Sequence, residues 1–111
     1  MNLDVRVDLI REGNVRYLSV SELNAAQLCR AHAVHPVTAL EIEYSLATRL
    51  IEADILSTAR DIGVGIVACG ALMRGLLTST LDGKFAPQDF RAHNPRFQGD
   101  NLTQNMRRVV D

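Results

Sequence analysis

The chain has 111 residues, 47% of them hydrophobic and 23% charged, the make-up of one small water-soluble domain. A formal net charge of −1 with no basic cluster argues against nucleic acid and against an anionic membrane surface, and apolar runs broken by Gly or Arg exclude a membrane-spanning helix. Two cysteines, Cys29 and Cys69, make no disulfide framework, and no charged-then-apolar leader is legible at the start, so the expected compartment is the reducing cytoplasm.

In chain order, Leu3, Val7 and Ile10 recur at helical spacing, and Gly13 is a suitable stop. "VRYLSVS" (15–21) is rich in β-formers and reads as a strand. Asn24 with Gln27 three residues on forms a capping box for a helix carrying Leu28 and Cys29, which must finish before Pro36. "VTALEIEYSL" (37–46) alternates, with Leu40, Ile42, Tyr44 and Leu46 on one face and Glu41, Glu43 and Ser45 on the other. Ile51, Ile55, Ala59 and Ile62 form a helical stripe closed by Gly63. "VGIVACG" (64–70) reads as an apolar strand covered on both faces. Residues 79–101 are polar, contain Gly83, Pro87 and Pro95, and read as a long loop with one turn of helix. Leu102, Met106, Val109 and Val110 begin a last amphipathic helix.

Helices alternating with strands predict a parallel α/β sheet. A fully covered open sheet would bury Glu41 and Glu43, which is costly. A sheet curled into a barrel instead gives those carboxylates an inner face, with ligands at the carboxyl ends of the strands. The expected architecture is therefore part of a (β/α)8 barrel, about three parallel strands with flanking helices, in one domain over 1–111. Three strand ends are candidates for a site: Ser21-Glu22, Glu43 to Ser45, and Cys69-Gly70.

Several chemistries are open to these residues. Cys29, His32 and His35 stand three apart, but no fourth ligand is evident, so no metal site is expected. Glu41 and Glu43 resemble a glycosidase carboxylate pair, yet barrel enzymes draw catalytic groups from several strands. Cys69 has no nearby His in sequence to activate it as a nucleophile.

"VRYLSVSE", "RAHAVHPVTALEIEYSLATR", "DIGVGIVACGALMRGLLT" and "DFRAHNPRFQGDN" resemble, in this order and spacing, the fifth strand, the next helix with the sixth strand, the seventh strand and its following loop in the aldo-keto reductase family. The family implied is a (β/α)8 barrel that reduces aldehydes and ketones with NADPH. The resemblance runs from the fourth helix to the start of the eighth strand. The family's catalytic Asp, Tyr, Lys and His lie in the other half, so it assigns no catalytic residue here and implies that this chain alone is inactive. What it does assign is a cofactor wall. Ser21 and Glu22 approach the nicotinamide carboxamide, Glu41 stands where the family has Gln, and Cys69 stands where an aromatic ring stacks on the nicotinamide. Gly70, Ala71, Leu72, Met73 and Arg74 pass the pyrophosphate. Small residues there let backbone N–H groups approach a phosphate, and Arg74 adds charge. Arg91 and Arg96 are candidates for the cofactor's 2′-phosphate or for a solvated loop. With Glu41 and Cys69 as departures, NADPH binding is expected to be weak or absent. The implied partners are NADP(H) and a small carbonyl compound. Open sheet edges also predict self-association, and the alternative function is a non-catalytic module that pairs with itself or with a complete reductase.

Overall fold

A computed structural model of the chain describes residues 4–78 and 81–110, without the side chains of 4–6 and 108–110. The order is α1 (Asp4–Arg11), β1 (Leu18–Ser21), α2 (Ala25–Val34), β2 (Val37–Glu43), α3 (Ile55–Asp61), β3 (Gly65–Cys69) and α4 (Gly99–Val110), with short 3-10 turns between. The strands form one parallel sheet in the order β1-β2-β3. It is open, so the expected partial barrel of three parallel strands with flanking helices is what the chain forms. The chain divides into two compact units, Met1–Ala71 and Leu72–Asp111.

The first unit is organised by the alternation of β2. Leu40 and Ile42 are buried, and with Leu18 and Val20 of β1 they pack against Leu28 and Ala31 of α2 and Ala59 of α3. Leu28 and Leu40 are fully buried, worth about 1.5–3 kcal/mol each as transfer from water. α2 begins as its sequence dictates. The Asn24 side chain accepts from the Gln27 N–H at 2.9 Å, and the Gln27 side chain accepts from the Asn24 N–H at 3.0 Å. Gly13 and Gly63 take positive φ (77° and 73°) just past α1 and α3, where a residue without Cβ turns the chain at little cost.

Four expectations are corrected. The first strand starts at Leu18 rather than at 15, because the Val15 N–H donates to Leu9 O behind α1 instead of entering the ladder. The second strand stops at Glu43 rather than at 46. Ser45 Oγ accepts from the N–H groups of Ala47 and Thr48, and this turn reverses the alternation: Ser45 is buried and Leu46 is 83% exposed. The stripe from Ile51 to Ile62 is split between a 3-10 turn (Leu50–Glu52) and α3. The third strand is not covered on both faces, since only Ile66 is half-buried and the rest of it is exposed. Leu3 and the side chains of Val109 and Val110 lie outside the described residues.

The second unit has its own core of Met73, Leu76 and Phe97, with Phe85, Leu102 and Met106 packed against it. Phe85 and Phe97 meet edge to face, with centroids 5.6 Å apart. Within the segment read as a long loop, Asp89 and Asn94 each cap a 3-10 turn, Phe90–His93 and Pro95–Phe97, by accepting from the N–H two residues ahead. α4 starts at Gly99, three residues before Leu102. No helix among the described residues is long and apolar enough to cross a membrane.

Candidate cofactor-binding site

Register decides which side chains share a face in the first unit. Ser21 pairs with Glu41, Glu41 with Val67, and Glu43 with Cys69. Leu40 pairs with Ile66, which faces the helices, so Ser21, Glu41, Glu43, Val67 and Cys69 lie on the opposite face. Four of the expected positions thus gather at the carboxyl end of the sheet: Ser21, Glu41, Cys69 and, half-buried, Glu43. Ser45 has left this face for its turn.

Glu22 has φ 53°, in the left-handed region. Its N–H donates to Glu41 O at 2.9 Å, and its carboxylate accepts from the Glu43 N–H at 3.0 Å. Glu22 thus ends β1 and satisfies the ladder of β2 with a side chain. Glu43 accepts from the Thr48 hydroxyl at 3.0 Å, so its partner comes from the following turn. The Ser21 hydroxyl and the Glu41 carboxylate have no partner among the described residues, and both residues are exposed. Cys69 is an exposed thiol whose carbonyl accepts from the Tyr44 N–H. Gly70 turns the chain with φ 65°, and a Cβ there would meet Glu43 Cγ at 3.9 Å, so backbone conformation rather than space requires glycine.

Just past the end of β2, the Tyr44 hydroxyl donates to Glu52 at 2.7 Å, and Arg49 grips the same carboxylate at 2.9 and 2.8 Å. The Arg49 hydrogen bonds, followed by that of Tyr44, hold the Glu52 carboxyl below the usual carboxylate range. The hydrogen bond to ionised Glu52 raises the Tyr44 phenol.

In the second unit, Met73, Arg74 and Gly75 all take positive φ (50°, 56° and 98°). For the two residues with side chains such a conformation costs about 1–3 kcal/mol each. The Met73 side chain is buried in the unit's core, which leaves only its backbone for a ligand. Leu72 and Arg74 are exposed, as is Ala71, the last residue of the first unit. The Arg74 guanidinium lies 5.1 Å from the centroid of Phe90. An open depression lined by Arg74, Gln88, Asp89, Phe90 and Arg91 surrounds it.

Arg91 is engaged on every side. Its Nε lies 3.0 and 3.1 Å from the two Asp89 carboxylate oxygens, Nη2 donates to Oδ2 at 2.7 Å, and Nη1 donates to Arg74 O at 3.0 Å. It also sits 4.8 Å from the Phe85 centroid. The Arg91 hydrogen bonds keep Asp89 well ionised, and Asp89 raises Arg91 in return. Arg96 Nη1 lies 3.5 Å from Met73 Sδ. Sequence reasoning gave Arg91 and Arg96 a choice between phosphate and solvent; Arg91 has a third role, inside the unit, for which the only sequence signal is Asp89 two residues ahead. Among the described residues, no three of His, Cys, Asp and Glu gather as a metal would require.

The comparisons with known proteins extend over nearly the whole chain. Residues 3–110 match the model of the Aldo/keto reductase family. An aldo-keto reductase of Strobilurus tenacellus is 50% identical over 100 residues, covering 86% of this chain and 30% of that protein. A glycerol dehydrogenase of Gluconobacter oxydans superposes with a TM-score of 0.82 at 32% identity, covering 93% of this chain and 32% of that one. The chain therefore spans about a third of the length of these relatives. A parallel sheet with its polar residues at the carboxyl ends of the strands, together with a family match from residue 3 to residue 110, places the chain in the aldo/keto reductase family.

Proposed function

We propose that the chain is the section of an NADPH-dependent carbonyl reductase barrel that receives the nicotinamide and the pyrophosphate, and that by itself it reduces no carbonyl compound. The observation that carries this reading is the shared face: Ser21, Glu41 and Cys69 stand in register at the carboxyl ends of three parallel strands, on the side away from the helices. Family membership supports the reaction class.

The residues fit the cofactor in part. At the phosphate end, Arg74 is an exposed cation above an aromatic ring, a suitable counter-charge for a pyrophosphate. At the nicotinamide end the Ser21 hydroxyl can donate to or accept from a carboxamide, whereas Glu41 when ionised only accepts. Glu41 therefore suits the carboxamide NH2 and repels its carbonyl oxygen. Cys69 offers no flat surface, and losing an aromatic stack costs about 1 kcal/mol. NADPH supplies hydride when bound; nothing in this chain corresponds to the family's proton donor, so no reduction step is assigned to its residues.

Calorimetric titration of the 111-residue chain with NADPH tests this, with Arg74→Ala alongside. A dissociation constant weaker than micromolar, lost in the Arg74 variant, is expected. Micromolar or tighter binding that survives Arg74→Ala would overturn the assignment of the wall.

The exposed third strand favours a second reading, an assembly module. β3 is last in the strand order, carries no charge and has no strand beyond it among the described residues, which suits pairing with another strand. The partner under this reading is a second copy or a complete reductase.

A further inference from the structure

We infer that Arg91 is the positioning residue for Arg74: by binding the Arg74 carbonyl it holds the left-handed turn that turns the Arg74 guanidinium towards an anionic ligand. The inference rests on the proposal that Arg74 meets a phosphate. Two residues with side chains stand side by side at positive φ, a conformation that persists only where surrounding bonds over-determine it. The bonds within the turn, Gly75 N–H to Leu72 O and Leu76 N–H to Met73 O, fix its flanks and leave the Arg74 carbonyl outside. Arg91 Nη1 takes that carbonyl at 3.0 Å.

The donor is itself held. Asp89 fixes the other side of the guanidinium through Nε and Nη2, and accepts the Arg91 N–H at 2.9 Å, so one carboxylate locks both ends of the Arg91 side chain. The Phe85 ring limits it from one face. Gly75 leaves room for it: a Cβ there would stand 3.3 Å from Arg91 Nη1. The charges divide accordingly. Asp89 neutralises Arg91, whereas no carboxylate pairs with Arg74 among the described residues. Of these two arginines, the one without a carboxylate partner among the described residues is Arg74, and Arg91 sets its direction. Lysine at 91 would keep the charge but cannot span Asp89 and the Arg74 carbonyl with a planar fork.

The test uses the 111-residue chain, with NMR backbone couplings and Cα shifts at Met73 and Arg74 as one readout and titration with inorganic pyrophosphate as the other. Arg91→Met is expected to abolish the positive-φ signature at Arg74 and to weaken pyrophosphate binding about tenfold, the size of one lost charged hydrogen bond, with Arg74 still present. Arg91→Lys should fail to restore either, whereas a role in net charge alone would be rescued by it. If Arg91→Met unfolds the second unit, Asp89→Asn carries the backbone readout, since it keeps the cap and releases the Arg91 fork; loss of the positive-φ signature at Arg74 is expected with the Phe97 ring signals intact, while affinity is read in Arg91→Lys, which leaves Asp89 in place. A positive φ at Arg74 retained in the folded variants, or unchanged affinity after it is lost, would overturn the inference. Absence of pyrophosphate binding in the unsubstituted chain, with the turn responding as described, would instead overturn the phosphate reading and leave Arg91 as the residue that holds the turn.

Discussion

Asn24 and Gln27, both exposed, exchange backbone and side-chain hydrogen bonds at the start of α2. Asn24→Ala should therefore cost about 1 kcal/mol, read as a lower urea midpoint with unchanged slope. Glu52 makes a pH prediction. Its folded-state pKa lies below the unfolded value, so its contribution is present above the usual carboxylate range and is lost as pH falls through the folded value. The stability gap between the unsubstituted chain and Glu52→Gln should be present at pH 7 and close as pH falls below about 4. A gap that widens on acidification would show that Arg49 and Tyr44 do not hold the carboxylate. At this scale the capping box was plain in the sequence, because both partners are local. The bond from Arg91 to the Arg74 carbonyl was not, since its partners stand seventeen residues apart and one of them is backbone.

The elements were legible where a period decides them. β2 buries Leu40 and Ile42 and leaves Glu41 exposed, as alternation requires. The reading failed past Glu43, where the Ser45 hydroxyl draws the chain into a turn and the period stops. It failed again at β3, because an apolar run does not report how many surfaces cover it. The open edge of β3 carries its own prediction. Val67→Lys places a charge on an exposed position opposite Glu41, so cross-strand attraction accompanies the blocked edge. Sedimentation should show less self-association than in the unsubstituted chain, with a change in stability within about 0.5 kcal/mol. Equal association in both would remove the β3 edge as the cause.

For the molecule as a whole, two small cores stabilise two units, and each has few fully buried side chains. Domains of this size are marginal, so both units should unfold at low denaturant. The family and the parallel sheet were legible from motif order. The roles of Ser21, Glu41 and Cys69 came from the resemblance alone, and the register across three strands adds that these residues share one face of the sheet. The central claim is that the chain carries cofactor-wall residues and no carbonyl chemistry of its own. Its most direct test is NADPH oxidation by the purified 111-residue chain with a reactive aldehyde in excess. The account predicts no aldehyde-dependent rate above the protein-free control, since the proposed function assigns to no residue of this chain the general acid assistance worth about 10²–10⁴-fold. Steady aldehyde-dependent turnover that scales with the concentration of the chain would contradict it.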